Sequence, residues 1–255
     1  MLDAIRAIAG EAGDVIMRHY AHGETNPGPV ERKADDSPVT PADRAANALI
    51  VERLREVTPD VPVVAEESDL PPHSVRAYWT RFWLVDPLDG TKEFIARNGE
   101  FSVNIALIEN GEPVLGVVRA PAFAVTYYAA KGTGAWKAEG DEPPQRLISR
   151  APPPGLPLTV LISRSHADNV DLERLLPGRT VGRVHAAGSA LKFGLLAEGV
   201  GDVYVRTVGS MEWDVAAGDA VWRNSSEPGE PPRSSPFIYN KPDVVNEGFV
   251  LGLEP

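Results

Sequence analysis

The chain has 255 residues, enough for one large domain or two small ones with a core that needs no covalent staples. Its formal net charge of -11 argues against nucleic-acid binding, since a polyanion would be repelled, and the lack of cysteine fits a reducing compartment. No apolar run reaches membrane-spanning length, and no basic segment leads into an apolar stretch at the N-terminus, so a soluble, cytoplasmic protein is expected.

From Leu2 to Tyr20, the residues Leu2, Ile5, Ala9, Ala12, Ile16 and Tyr20 recur at three- and four-residue spacing, which predicts an amphipathic helix closed by His19 and His22. The stretch Ala21 to Pro38, rich in Gly, Pro and charge, reads as a mobile loop, with Lys33 its most interesting residue. Thr40-Pro41-Ala42-Asp43 starts a second helix: a Thr N-cap, Pro at the first helical position and an acid in the first turn. Capping alone accounts for Asp43, so a catalytic role stays open on local grounds. Val61 to Ala65 is a short β-like run ending in Glu66-Glu67-Ser68, and two adjacent acids at a strand end point opposite ways, so at most one joins a common site.

The centre of the chain is Trp83 to Phe94. Trp83-Leu84-Val85 predicts a buried strand that stops at Asp86-Pro87, because Pro87 has no N–H for the ladder. Asp86 and Asp89 then share a turn, close enough for both carboxylates to reach one hard cation or two adjacent ones, with the Leu88 carbonyl between them. Oxygen ligands of this kind suit Mg²⁺, Mn²⁺ or Ca²⁺. Gly90 lets the chain turn sharply, and Thr91 brings a hydroxyl beside the acids.

Asn110-Gly111 predicts a hairpin between the runs Phe101 to Ile108 and Val114 to Val118. After the β-like run Val125 to Ala129, Lys131-Gly132-Thr133-Gly134 reads as another hairpin turn, since no helix follows to make it a phosphate loop. Ala151-Pro152-Pro153-Pro154-Gly155 is a stiff link that divides the chain into halves 1–150 and 151–255. In the second half, a strand Leu158 to Ile162 delivers Ser163-Arg164-Ser165-His166, and Val184 leads to Gly188-Ser189-Ala190-Leu191-Lys192 at the start of a helix ending near Glu198. Such strand-to-helix corners present N–H groups and cations to anions. Val203 to Arg206 is a further strand, and Asp214 opens a helix of small residues, as an N-cap or as a ligand. Glu227 to Pro236 reads as a mobile surface loop, and Phe249 to Leu251 as an edge strand.

The string Asp86-Pro87-Leu88-Asp89-Gly90-Thr91 resembles the metal-binding signature of the lithium-sensitive phosphatases, the inositol monophosphatase and fructose bisphosphatase superfamily. Its continuation, Lys92-Glu93-Phe94, is similar to that of the bacterial 3′(2′),5′-bisphosphate nucleotidases, and the resemblance runs almost end to end. The resemblance implies an α+β fold, the layered αβαβα sandwich, where the mixed clusters of strands and helices indicate only a layered α+β protein. It also implies two or three Mg²⁺ ions on Glu66, Asp86, the Leu88 carbonyl, Asp89 and Asp214, with Asp86 bridging. By the same implication, Asp43 and Thr91 activate the attacking water with Glu67 in support. Glu66, Leu88, Asp89, Gly90, Thr91 and Asp214 surround the reacting phosphate, while Ser163, His166, Gly188, Lys192 and Arg206 contact the nucleotide.

The implied reaction is hydrolysis of adenosine 3′,5′-bisphosphate to AMP and phosphate, as in sulfate assimilation and nucleotide recycling. The implied partner is that small-molecule nucleotide, and the peripheral inner-membrane contact of some relatives is left open. An inositol or sugar phosphatase would share the metals and differ in the pocket. A non-catalytic cation- or nucleotide-binding module would not need a water-activating pair such as Thr91 and Asp43.

Overall fold

In the computed structural model, residues 1–22, 30–33, 37–149, 155–166 and 170–253 are described, without the side chains of His22 and His166. Helix α1 (Leu2–His22) follows the apolar stripe, and a two-residue ladder of β1 (Glu31–Arg32) and β2 (Pro38–Val39) precedes α2 (Pro41–Val57). Both helices lie on one face of a seven-stranded sheet, and Ile5, Ala9, Ala12, Ile16, Ala46, Ile50 and Leu54 are buried in that contact. The alanines let helix and sheet approach closely.

The large sheet has the order β3 (Val63–Ala65), β4 (Arg81–Asp89), β5 (Ser102–Glu109), β6 (Glu112–Ala120), β7 (Val125–Ala130), β8 (Gly134–Glu139) and β9 (Gln145–Leu147). β3 runs parallel to β4, and the remaining neighbours are antiparallel. Short segments follow β3 and β4: α3 (His73–Arg76) and α4 (Thr91–Ile95). Asn110 and Gly111, both at positive φ, make the expected two-residue turn between β5 and β6.

The other face of this sheet is covered by α6 (Leu191–Ala197) and α7 (Glu212–Arg223), and beyond them lies a second, four-stranded sheet. Its order is β11 (Val181–Ala187), β10 (Leu158–Ser163), β12 (Val203–Arg206) and β15 (Phe249–Leu251), with β10 parallel to both neighbours and β15 antiparallel at the edge. Side chains alternate as a strand requires: Leu161 and Tyr204 face the helices, while Val160, Ile162, Val203 and Val205 face outward, where α5 (Leu172–Leu175) and Leu176 cover them. The layers are therefore α, β, α, β, α. A small ladder of β13 (Ser210–Met211) and β14 (Val245–Asn246) fixes the entry to α7.

Three details depart from the sequence reading. Strand β4 does not stop at Pro87: Asp86 pairs with Asn104 and Asp89 with Ser102, so β4 holds one extra residue and bulges there. A bulge asks no ladder bond of the proline nitrogen, which is why the strand survives it. Strand β8 follows the expected turn at Lys131 to Gly134 as the antiparallel partner of β7, and β9 then extends the sheet where no strand was expected. Helix α7, on the C-terminal side of the expected boundary, packs on the large sheet of the N-terminal half. The Pro152-Pro153-Pro154 link lies outside the described residues.

Candidate active site

The site forms where strand ends meet. The Glu66 N–H donates to Val85 O at 3.1 Å, which ties the end of β3 to β4 just before Asp86. The β4 bulge turns Asp86, Leu88 and Asp89 toward one cavity of about 220 Å³, also lined by Glu66, Gly90, Thr91, Ser163, Arg206 and Asp214. From the second sheet, the paired ends of β10 and β11, Ser163 opposite Ala187, bring their turns to the same place. A hollow of about 430 Å³ lies by Phe237, Ile238 and Lys241, but it holds no comparable set of acids, so chemistry and not volume selects the site.

Asp86 is 1% exposed, and its Oδ1 accepts the Leu88 N–H at 3.1 Å. Asn104 Nδ2 donates to Asp89 Oδ2 at 3.2 Å and is itself held by the Ser102 hydroxyl at 2.9 Å. Gly90 sits at φ +88°, a conformation open to glycine at no steric cost, and a Cβ there would lie 3.1 Å from Glu100 O. Thr91 follows at once and donates its hydroxyl to Asp43 Oδ1 at 3.0 Å, with Leu88 O at 3.3 Å. The other oxygen of Asp43 accepts the Thr40 N–H at 2.8 Å and the Thr40 hydroxyl at 2.6 Å. Asp43 is thus both the capping acid of α2 and the partner of Thr91. Asp214 is similarly double: its Oδ2 accepts the Met211 N–H at 2.9 Å, and the residue lines the cavity.

Burial drives the carboxyls upward. Asp86 stands well above its ordinary value through burial and then the charges of Glu66, Asp89 and Asp214. Asp214 is pushed up to about 7 by burial, Asp89 and Glu66. Glu66 and Asp89 are raised by burial against the pull of Lys33 and of Lys192 and Arg206, respectively. Asp43 is raised by burial, although its bonds from Thr40 work against the shift. Four acids crowded in low dielectric favour positive charge among them. The donor set is oxygen throughout, so it fits a hard divalent cation. Among the described residues no three His, Asp or Glu close on a common point. Lys33 instead holds Glu66 Oε1 at 2.7 Å and Glu67 Oε1 at 2.5 Å.

Of the sequence-derived site residues, Glu66, Asp86, Leu88, Asp89, Gly90, Thr91, Ser163, Arg206 and Asp214 share the cavity wall. Asp43 stands behind Thr91, and Glu67 is held to the side by Lys33. Arg206, beside Asp89 and Asp214, is anchored through its Nη2 to Gly209 O at 3.0 Å. Gly188 touches Glu100, to which its N–H donates at 2.8 Å. The side chain of His166 lies outside the described residues.

Lys192 needs correction as a direct phosphate contact. It is fully buried, its ammonium bonded to Ala187 O at 2.9 Å and Ser189 O at 2.6 Å. The corner's own carbonyls have wrapped the cation that was expected to point outward. Asn104, Lys92, Glu93, Ser165 and Ser189 are parts of the site that the sequence reading did not assign. The acids they bond, Asp89 for Asn104 and Glu93 for Ser165, lie on other elements, so no local pattern marks them.

Comparison with known proteins agrees with this geometry. The sequence profile of the Inositol monophosphatase family matches residues 1–225. The chain is 51% identical over 221 residues to the 3′(2′),5′-bisphosphate nucleotidase CysQ of Salmonella typhimurium, covering 87% of this chain and 86% of that protein. It is 48% identical over 254 residues to the protein of the same name from Escherichia coli, covering 99% of this chain and 100% of that one. The crystal structure of CysQ from Bacteroides thetaiotaomicron, described as a bacterial member of the inositol monophosphatase family, superposes with a TM-score of 0.78 at 36% identity, covering 99% of this chain and 97% of that one. Sequence, layered fold and the acid-lined cavity lead to one conclusion: this chain belongs to the inositol monophosphatase family.

Proposed function

We propose that the chain is a 3′(2′),5′-bisphosphate nucleotidase that removes the 3′-phosphate of adenosine 3′,5′-bisphosphate with Mg²⁺, giving AMP and phosphate. Members of this family are metal-dependent phosphatases, generally using Mg²⁺. The relatives at 51% and 48% identity are named as bisphosphate nucleotidases. The observation that carries the reading is the bond from Thr91 to Asp43 beside the buried acids of β4, because a binding module has no use for a hydroxyl held against a basic carboxylate.

Two or three Mg²⁺ ions would be held by Glu66, Asp86, the Leu88 carbonyl, Asp89 and Asp214. When bound, such ions make a water more acidic and neutralise charge on the departing ribose oxygen. The protein does the rest. Asp43 accepts a hydrogen bond from the Thr91 hydroxyl, which leaves the lone pairs of Oγ1 free to receive a hydrogen bond from a water and so to orient it. Burial strengthens the Asp43 carboxylate as a base for the proton that water gives up. Arg206 stays charged, because Tyr204 and then Asp214 and Asp89 hold its pKa up against burial, and it offers the phosphate a fixed cation in an acidic protein.

Phosphate release from a panel of nucleotide, inositol and sugar phosphates, with and without Mg²⁺, tests the reading. Preference for adenosine 3′,5′-bisphosphate is expected, and preference for an inositol phosphate would replace it.

A further inference from the structure

Two glutamates with no part in the proposed chemistry join the catalytic loop to the C-terminal half. Glu93, on α4 two residues after Thr91, is 6% exposed and accepts a hydrogen bond from the Ser165 hydroxyl. Glu100, just before β5, accepts from Arg164 Nη2 at 2.7 Å and from the Gly188 N–H at 2.8 Å. The same Arg164 nitrogen donates to Ala186 O at 2.7 Å, which ties the turn after β10 to the end of β11. The junction has no slack. A Cβ on Gly188 would come within 2.4 Å of Glu100 O and 2.8 Å of both Glu100 Cβ and Glu93 Cγ, so backbone packs directly on the two acids.

These turns form one wall of the cavity, where Ser163, Ser165 and Ser189 stand with Glu93. Beneath the wall, Lys192 is bonded to Ala187 O and Ser189 O within the field of Asp89, Glu93 and Glu100. The reacting groups come from elsewhere: Asp43, the β4 bulge, Thr91 and Asp214. The wall therefore faces the part of the substrate that does not react. Glu100 is paired with Arg164 and takes the Gly188 N–H, whereas Glu93 accepts from the Ser165 hydroxyl and lines the cavity as an acid, which disfavours a phosphate at this side. The wall accordingly suits the uncharged portion of a nucleotide, while Arg206 attracts phosphate.

We propose that Glu93 and Glu100 are positioning residues for substrate selectivity: by clamping the Ser165 and Gly188 turns, they fix the wall that receives the nucleoside part of the substrate. The proposal rests on the nucleotidase reading.

The test compares kcat/KM for adenosine 3′,5′-bisphosphate with that for p-nitrophenyl phosphate, which needs the same catalytic groups but offers no nucleoside. The variants are Glu93→Ala, Glu93→Gln, Ser165→Ala, Glu100→Ala and the Glu93→Ala/Ser165→Ala double mutant. Each alanine variant should lower the bisphosphate-to-nitrophenyl ratio by roughly tenfold or more, the scale of one hydrogen bond to a charged group. The double mutant should be no worse than its weaker parent, since both changes break one contact. Glu93→Gln, which still accepts from Ser165, should recover most of the ratio. Equal losses on both substrates, an unchanged ratio or additive losses would each overturn the proposal. Should Glu93→Ala fail to fold, Ser165→Ala, which removes a single hydroxyl from an exposed turn, still decides. A wild-type protein inactive on the bisphosphate would instead reject the nucleotidase reading, and the ratio is then read with whichever natural ester it prefers.

Discussion

Thr91 and Asp43 are 48 residues apart in sequence, yet their side chains meet at 3.0 Å, because the bulged end of β4 and the capped start of α2 face each other across the site. The pair works as one unit in the proposed reaction. Thr91→Val, which keeps the shape and removes the hydroxyl, should lower kcat by about 10²- to 10⁴-fold, the usual range for a general base or its relay. Asp43→Asn should do the same, and the double mutant should be little worse than the poorer single one. Steady-state kinetics at saturating Mg²⁺ check this. Fully additive losses would mean that the two residues act separately.

The ligand assignment makes a separable prediction at Asp89. Asp89→Asn keeps the bond from Asn104 but removes one charge from the set proposed to hold metal. Turnover at ordinary Mg²⁺ should fall by at least about 100-fold, the size of one major electrostatic contact in a transition state, with partial rescue by more metal. Near-normal turnover would remove Asp89 from the ligand set.

Lys33 should compete with metal. Burial alone would lower its pKa, but Glu66 and Glu67 outweigh burial and hold it above its ordinary value, so the ammonium stays charged. A dication must draw Glu66 away from that ammonium. Lys33→Met should therefore tighten Mg²⁺ binding several-fold in calorimetry, through loss of a competing like charge, and lower the melting temperature of the metal-free protein. Weaker Mg²⁺ binding would show that Lys33 holds Glu66 ready for the metal.

Further along α7 from Asp214, Asp219 accepts the Tyr239 hydroxyl at 2.7 Å and is fully buried. Burial, opposed by the bond from Ser235, the charge of Arg223 and the bond from Tyr239, raises its pKa from 3.8 to about 6. The folded value lies above the unfolded one, so the folded protein binds the proton more tightly. Stability from this group is present at low pH, is lost as pH rises from about 4 to 6, and is level above that. The swing is about 3 kcal/mol at most, from roughly 1.4 kcal/mol per unit. Urea unfolding of wild type and Asp219→Asn across this window should show the variant gaining on wild type as pH rises. A pH-independent difference would contradict the shift.

Elements with local causes were legible in the sequence. The Thr40-Pro41-Asp43 start of α2, the Asn110-Gly111 hairpin and the strand-to-turn corners at Ser163 and Gly188 fall where spacing and turn chemistry put them. What the sequence hid depends on partners distant in the chain. Pro87 reads as a strand end until its neighbour β5 shows that a bulge absorbs it. Lys192 reads as an outward cation because spacing along a helix does not reveal that carbonyls of the preceding turn will enclose it. The sequence assigns Glu93 and Glu100 no contacts, because their partners Ser165, Arg164 and Gly188 come from the second sheet.

The most direct test of the account is product analysis after incubation of the purified protein with adenosine 3′,5′-bisphosphate and Mg²⁺. Equal amounts of 5′-AMP and inorganic phosphate are predicted, none when the metal is chelated, and little with Asp89→Asn. Release of 3′-AMP, or hydrolysis that persists without divalent metal, would contradict it.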